Sequence, residues 1–401
     1  MSENAPFIKF ILDHAEDDTS RLLFASDRYP EIDVRKACST IEARRKAKSK
    51  LPSWYAVPGI IYPGSLPLEQ CSSEATAGYK RIFLNEGGKV ADITGGLGVD
   101  SSFFAGKAAE VTYMERSREL CEAARHNFEL LGISNVEVVN TETSADNLPQ
   151  GHFDLIYADP ARRGRNSSRI YSISDCEPDI LSLKDSLLGK ADSLLVKISP
   201  MADIHRTLEQ FPQATELHIV SLDGEVKELL VWCRKGDCRG LDAEIVCADL
   251  HSGRRSTLFR FTLQEEASSV PLFAGRIGKY LFVPGRSLLK AGAFRLCSSR
   301  FALEKLAPST HLYTADSVCE SFPGRIYRSV EAVKWSKSAS EDIAKRYPSA
   351  ELTAINFPLA TDALRRKMKI RDGGNVHIFA TTVNTDKFLL ICTRIQNGIN
   401  I

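Results

Sequence analysis

Three carboxylates, each closing a short apolar run, are the residues with the clearest chemical potential in this chain. Asp92 ends Val90-Ala91-Asp92 and leads into Ile93-Thr94-Gly95-Gly96-Leu97-Gly98-Val99-Asp100, a glycine turn that opens a helix. Glu115 closes the next run 23 residues later, and Asp159 closes a fourth as the start of Asp159-Pro160-Ala161-Arg162-Arg163. In an open α/β sheet such acids gather at strand tips, where turn amides and a helix N-terminus hold a nucleoside cofactor. Asp92, Thr94, Gly95, Gly96 and Gly98 then form the cofactor turn, and Glu115 accepts hydrogen bonds from both ribose hydroxyls. The third run, 135–140, ends in Thr141-Glu142-Thr143, which puts Glu142 or Thr143, ahead of Asp146, near the base. A dinucleotide fingerprint would need glycine at the sixth position counted from Gly96, where Ser101 stands, and this weighs against NAD.

Asp159 and Pro160 suit the acceptor side of a group transfer. The lone pair of an exocyclic base amine is delocalised into its ring, so the amine is a poor nucleophile. A carboxylate and a backbone carbonyl can hold its two hydrogens and aim the nitrogen, a gain of orientation and electrostatics. Pro160 lacks an amide hydrogen and stiffens the loop. Arg162 and Arg163 can stack on a base or clamp a phosphate, and a surface ion pair accounts for either one equally well.

The elements that must position these groups are legible from periodicity. Strands are predicted at 89–93, 110–115, 135–140, 153–158 and 192–198, with helices near 99–107, 117–131, 175–188 and 201–210. Two further strands, 215–220 and 226–233, are joined across Leu222-Asp223-Gly224-Glu225, a turn short enough to make the last strand antiparallel. Upstream, residues 1 to about 50 read as helices, with Phe7, Ile8, Ile11 and Leu12 on one apolar face and Arg44, Arg45, Lys46, Lys48 and Lys50 crowding the end of the second. The Pro- and Gly-rich stretch 51–68 reads as a connector, and a helix capped by Ser72 or Ser73 follows it. Downstream come strands at 244–250 and 257–263, then short α/β pieces that include helix-like stretches at 287–297 and 362–369. The expected fold class is α/β, a Rossmann-like sheet with an N-terminal helical region and small α+β C-terminal domains. The expected regions are 1–68, 69–270, 271–324 and 325–401.

Charge is unevenly distributed. Residues 271–401 hold 20 Lys and Arg against 10 Asp and Glu, while the first 270 hold 32 against 41. A basic C-terminal third on an acidic body points to a polyanion, and Arg365, Arg366, Lys367 and Lys369 are candidate phosphate contacts on one helix. No apolar run approaches the length of a membrane span, and the N-terminal stretch, without a basic leader, reads as a helix and not a signal peptide. Ten cysteines without a CxxC pair suggest reduced thiols in a cytoplasmic protein and give no case for a metal. Oligomeric state is left open.

With these motifs in place, Asp92–Asp100, Glu115 and Asp159–Arg163 resemble a class I S-adenosylmethionine-dependent methyltransferase, whose layout is five parallel strands followed by such a hairpin. The nearest likeness is a bacterial group with a THUMP-like C-terminal domain, on Glu69-Gln70-Cys71-Ser72-Ser73-Glu74-x-Thr76-Ala77, the Asp-Pro-Ala-Arg-Arg loop, and Leu364–Lys369 with Asp372-Gly373-Gly374. The likeness covers roughly 69–235 and 325–395, with a ferredoxin-like piece at about 275–322 between them. The first motif is also similar to that of rRNA guanine-N2 methyltransferases. This resemblance implies S-adenosyl-L-methionine as cofactor, with Gln70 and Ser73 over its methionine end, and structured RNA (rRNA or tRNA) as partner. The implied activity is methylation of a base amino nitrogen. Helix capping accounts for the serines equally well. One departure is plain: amino methyltransferases follow Asp-Pro with a second proline and an aromatic, whereas Ala161 and Arg162 stand here. A stacking platform would have to come from elsewhere, Tyr157 and Tyr171 being candidates. Two other functions fit the same residues: a methyltransferase of a protein or small molecule, and a catalytically silent RNA-binding protein of the same fold.

Overall fold

A computed structural model describes residues 5–162, 173–252 and 256–395, so Arg163 and Tyr171 lie outside the described residues. Packing divides the chain into two compact units, the first made of Met1–His218 with Lys227–Ala243 and the second of Ile219–Val226 with Glu244–Ile401. The boundary drawn from sequence at 270 thus lies within the second unit, which takes in residues 244–270.

The first unit opens with helices α1 (Ala5–Asp13), α2 (Thr19–Phe24) and α3 (Val34–Lys50). Their shared core contains Phe10, Ile11, Leu22, Val34, Ala37, Cys38 and Ile41. The apolar face of α1 is therefore Phe7, Phe10 and Ile11, a set spaced i, i+3, i+4, and the expected Leu12 is exposed. The stretch read as a connector is more ordered than its prolines suggested. It contains α4 (Pro52–Ala56), with Pro52 at a first-turn position where its missing N–H costs no hydrogen bond, and the start of α5 (Ser65–Gln70). Trp54 and Tyr62 are buried there. Ser73 then caps α6 (Glu74–Lys80) by accepting from the Thr76 amide.

The sheet follows as β1 (Lys89–Asp92), α7 (Val99–Ala105), β2 (Glu110–Glu115), α8 (Arg118–Leu130), β3 (Val136–Asn140) and β4 (Phe153–Ala158). A two-stranded ribbon, β5 (Ala161–Arg162) with β6 (Cys176–Glu177), interrupts the alternation. Helix α9 (Ile180–Lys190) starts later than the expected residue 175, because Pro178 disfavours a helical Glu177 and Asp179 supplies the cap by accepting from the Ser182 amide. Then come β7 (Ala191–Ile198), α10 (Ile204–Gln210), β8 (Ala214–Leu222) and β9 (Glu225–Arg234). Through this part of a nine-stranded sheet the strand order is β8-β9-β7-β4-β1-β2-β3. The central pairs β4–β7, β1–β4, β1–β2 and β2–β3 are parallel, and β9 is antiparallel to β7. Asp223 and Gly224, with φ of 50° and 89°, make the tight hairpin turn.

The second unit contains the antiparallel pair β10 (Glu244–Leu250) and β11 (Thr257–Phe261), followed by α11 (Leu263–Ser268). Its main sheet uses β12 (Leu272–Phe273), β13 (Tyr280–Pro284), β14 (Glu304–Ala307), β15 (Thr310–Ala315), β16 (Gly324–Lys334), β17 (Glu351–Ile355), β18 (Val376–Val383) and β19 (Asp386–Arg394). The order is β12-β14-β15-β13-β16-β19-β18-β17, with β16 hydrogen-bonded to β13 on one side and β19 on the other. The single helix expected at 287–297 is broken into α12 (Arg286–Ala291) and α13 (Phe294–Arg300) by Gly292, whose φ of 77° closes the first of them. Helices α14 (Lys337–Arg346) and α15 (Thr361–Met368) complete the unit. No helix among the described residues is long and apolar enough to cross a membrane.

One buried charge group joins the helical and sheet parts of the first unit. Lys80, wholly buried at the end of α6, lies 2.9 Å from Glu228 of β9 and 3.2 Å from Asp100 of α7. Ser72 and Tyr157 both donate to Asp100 Oδ2, at 2.8 and 2.9 Å. Removing one partner of such a group leaves the others charged and unsolvated, which typically costs about 3–5 kcal/mol. Lys80→Met is therefore expected to destabilise the first unit by several kcal/mol, and adding Glu228→Gln should return part of that loss. Denaturant unfolding followed at Trp54 and Trp232 checks this. A single variant as stable as the parent would contradict it.

Candidate active site

Register brings the three carboxylates together. Asp92 is paired with Tyr113 of β2 and with Tyr157 of β4, so β1, β2 and β4 end side by side and parallel. Asp92 is the last residue of β1, Glu115 lies two residues beyond Tyr113, and Asp159 two beyond Tyr157. All three stand at the carboxyl ends of adjacent strands, where open α/β sheets bind ligands.

Asp92 itself is enclosed, with 1% of its surface exposed. The Thr94 amide donates to its Oδ1 at 3.1 Å and the Ser101 hydroxyl to its Oδ2 at 2.6 Å. Burial pushes its carboxyl up to about 7 despite those two donors. Asp92 thus organises the turn from within. Thr94 does a second job: its hydroxyl oxygen accepts the Asp159 amide at 2.6 Å, which fixes the start of the Asp159 loop to the glycine turn. Gly96 answers to its backbone, at φ 55°, whereas Gly95 and Gly98 answer to packing under the turn. A Cβ on Gly95 would lie 2.2 Å from the Tyr113 ring, and one on Gly98, at φ 86°, would lie 2.9 Å from Phe128. The Tyr113 hydroxyl in turn donates to the Gly96 carbonyl at 2.6 Å.

Glu115 is half-buried and held at both oxygens, Oε2 accepting from the Gly96 amide at 3.0 Å and Oε1 from the Ser117 amide at 2.8 Å. A carboxylate oxygen has two acceptor directions, so one on each oxygen remains for a vicinal diol. The two candidates beyond β3 separate clearly. Thr143 is buried and donates to the Ile93 carbonyl at 3.0 Å, bracing the exit of β1, whereas Glu142 is exposed and pairs with Arg116 at 3.5 Å. Gln70 is exposed at the end of α5. Ser73 spends its hydroxyl on the α6 cap, and Ser72, the alternative cap, is drawn instead into the Asp100 group.

At the tip of β4, Asp159 is partly exposed, and Lys197 of β7 donates to its Oδ2 at 2.6 Å. Burial alone would push the lysine down, but Asp159, Glu228 and Asp100 outweigh it and hold Lys197 well above the ordinary range. Sequence reasoning missed this residue. The signal was present, a single lysine in the apolar strand Leu194-Leu195-Val196-Lys197-Ile198. Asp100 was read only as part of a turn. Burial pushes its carboxyl up, but Lys80, Lys197, Ser72 and Tyr157 together hold it below the usual range. Pro160 is buried directly after Asp159.

Tyr157 cannot serve as a stacking platform. It is 1% exposed, its ring packs on Phe104 at 5.4 Å, and its hydroxyl is committed to Asp100. The alternation of β4 turns its side chain into the core beneath α7. Arg162 lies in β5. In the second unit, Arg366, Lys367 and Lys369 are exposed on and just after α15, with Lys367 5.2 Å from the Trp335 ring centre. Arg365 is different: it donates to the Ala350 carbonyl at 3.1 Å and pairs with Asp372 at 2.6 Å, so it braces the turn after the helix. His377, in β18, stacks on Phe379 and is pushed down to about 4 by burial and by Arg325, Arg394 and Arg365. Among the described residues no group of three or more His, Cys, Asp or Glu could hold a metal ion.

Comparison with known proteins agrees with this architecture. Residues 280–323 match a ferredoxin-like domain family, and residues 324–394 match a THUMP domain-like family. A crystal structure from Porphyromonas gingivalis W83, of a protein assigned as a methyltransferase, is 36% identical with a TM-score of 0.89, covering 98% of each chain. An uncharacterised RNA methyltransferase of Mycoplasma mobile is 29% identical over 208 residues, 50% of this chain and 56% of that protein, so the chain spans about half of that relative's length. The chain belongs to the class I methyltransferase family whose members carry a THUMP-like C-terminal domain.

Two outcomes follow from the turn. The raised Asp92 carboxyl means that the folded unit binds a proton the unfolded chain has released, so Asp92 makes stability fall as pH rises from about 4 to about 7. Asp92→Asn should flatten that slope in thermal melts between pH 5 and 8, and an unchanged slope would show Asp92 ionised throughout. Gly95→Ala should cost about 1–3 kcal/mol or more from overpacking against Tyr113, read as a lowered melting temperature.

Proposed function

We propose that this protein is an S-adenosyl-L-methionine-dependent methyltransferase acting on an amino nitrogen of a base in structured RNA, rRNA or tRNA. The observation that carries the reading is the row of carboxylates on adjacent strand tips, with Glu115 keeping an acceptor direction free on each oxygen and Asp159 held beside Lys197. The site fits the cofactor: Glu115 would take the ribose diol, the Gly95–Gly98 turn, whose Gly95, Gly96 and Gly98 amides are bonded within the fold, would give its backbone a close approach, and Thr143 would stand at the base side. Gln70 and Ser73 would lie toward the methionine end. The cofactor supplies an electrophilic methyl group on a sulfonium centre.

The chain's own residues do the rest by positioning. Asp159, paired with a lysine that stays charged, acts as a fixed hydrogen-bond acceptor for the amine hydrogens of the substrate. It gains from orientation rather than from taking a proton at the outset. Thr94 and Pro160 limit the loop that carries it. The exposed cations Arg366, Lys367 and Lys369 would meet phosphates, which gives salt-sensitive affinity and little sequence choice. Arg162 and Arg163 remain candidates for the acceptor strand.

A second reading, methylation of a protein or small molecule, is favoured by one observation: Ala161 and Arg162 stand where an aromatic would follow, and Tyr157 is enclosed. Mass spectrometry of RNA nucleosides from cells with and without the gene separates the two readings. A missing methylated nucleoside supports the RNA reading, and an unchanged nucleoside profile turns attention to the second.

For the purified protein, Glu115→Ala should weaken S-adenosylmethionine binding in calorimetry by about 10- to 100-fold, the scale of charge-assisted hydrogen bonds. Asp159→Ala and Lys197→Met should leave that binding nearly unchanged while lowering methyl transfer by roughly 100-fold or more. Full transfer by Asp159→Ala would remove that residue from its role. Deleting 325–401 is a poor test of the tail, because it would strip β16 from β13 and leave an open sheet edge. Arg366→Glu with Lys369→Glu is cleaner, and should lower RNA affinity and its salt dependence.

A further inference from the structure

We infer that the C-terminal half of α3, with Tyr55 of α4, is a second RNA-contact surface, which receives the phosphates flanking the acceptor nucleotide next to the Asp159 corner. This rests on the RNA reading above, and it moves part of the binding from the basic tail to the first unit.

Helix α3 carries seven cations, Arg35, Lys36, Arg44, Arg45, Lys46, Lys48 and Lys50, against the single acid Glu42. Some of them hold the scaffold. Lys36 pairs with Glu119 at 3.1 Å, and Arg45 donates to the Ala15 and Asp17 carbonyls. Others, among the described residues, donate to backbone carbonyls and not to a carboxylate. Arg44 donates to the Tyr55 carbonyl at 3.1 Å, and Lys50 donates at 2.8 Å to the carbonyls of both Leu68 and Glu69. Lys48 is exposed and, among the described residues, has only the Tyr55 ring beside it, at 6.0 Å. Lys46 pairs with Glu69, and Glu74 accepts from the amide and hydroxyl of Ser53 in α4.

Cations near a helix C-terminus also complement the macrodipole, but that is worth under about 1 kcal/mol and acts only within the last turn. It does not account for Arg44 and Lys46, nor for an aromatic ring that two cations approach: Arg44 lies 4.7 Å and Lys48 6.0 Å from the centre of Tyr55. Cationic groups interleaved with a half-buried tyrosine are what single-stranded RNA contacts use, phosphates on the charges and a base on the ring.

Location supports the same partner. Through Lys50 the end of α3 is bonded to the Leu68–Glu69 backbone, directly before Gln70–Ser73. The Cys71 thiol lies within electrostatic reach of Lys50, Lys197 and Asp159 together, which sets this end of α3 beside the Asp159 corner. The exposed cations at that end of the helix favour phosphates over an apolar or cationic partner.

The test uses the full chain and end-labelled bulk transfer RNA, titrated across a series of salt concentrations. Lys46→Glu with Lys48→Glu should weaken binding at least 10-fold near 0.1 M salt and lower the slope of log affinity against log salt by about two. Lys46→Arg with Lys48→Arg should stay near the parent, and Tyr55→Leu should lose affinity without changing the slope. Circular dichroism confirms folding of each variant. If the charge-reversed variant binds like the parent while Arg366→Glu with Lys369→Glu does not, this surface is excluded and the RNA reading stands. If the parent itself binds no RNA, both fall. Equal, equally salt-sensitive binding of acidic lipid vesicles at α3 would overturn RNA as its partner.

Discussion

A wholly buried lysine sets the terms for the first unit. Lys80 is tolerable inside the protein only because Glu228 and Asp100 lie within 3.2 Å, and they in turn require it. These residues come from α6, β9 and α7, so one charge-balanced contact fixes the helical region, the hairpin strand and the helix after the glycine turn. Burial pushes the Glu228 carboxyl up even with both lysines near, whereas Asp100, with two further hydroxyl donors, is held down. Asp100 is therefore the better satisfied of the two anions.

The candidate site is an outer layer on that group. Tyr157 connects the two, its hydroxyl on Asp100 and its backbone in the strand that delivers Asp159. Lys197 connects them again from the neighbouring strand, within electrostatic reach of Asp100 and Glu228 and hydrogen-bonded to Asp159. Thr94 joins the glycine turn to the same loop. Three independent links therefore set one carboxylate, which is the supporting order that a site acting by orientation needs.

Much of this was readable from the chain, for definite reasons. Strands β1 to β4 are short apolar runs with turn signals at both ends, and Asp92, Glu115 and Asp159 stand at or just past the ends of three of them, so both the sheet and the edge where these acids gather followed. The Asp223-Gly224 turn alone required the antiparallel ending. The failures share a cause as well. Lys80 looks like a surface lysine until α6 meets β9, 148 residues on, and Lys197, though conspicuous in its apolar strand, shows its partner only when β7 is set beside β4, 38 residues back. Tyr157 looked available because alternation along β4 does not reveal which face α7 covers. Arg365 looked like its neighbours on α15, yet it faces Ala350 and Asp372 while Arg366 and Lys369 face solvent. Gly95 looked like a ligand-driven glycine, and the demand comes from Tyr113 beneath it.

In the second unit the ferredoxin-like and THUMP-like segments meet between residues 323 and 324, yet their strands lie in one eight-stranded sheet. Strand β16, the first of the later segment, is sandwiched by hydrogen bonds between β13 of the earlier and β19 of its own. Neither segment therefore has a closed perimeter without the other. A gene exchange that cut at the sequence border would leave two raw sheet margins prone to self-association, so the pair is expected to be inherited, folded and degraded as a single object.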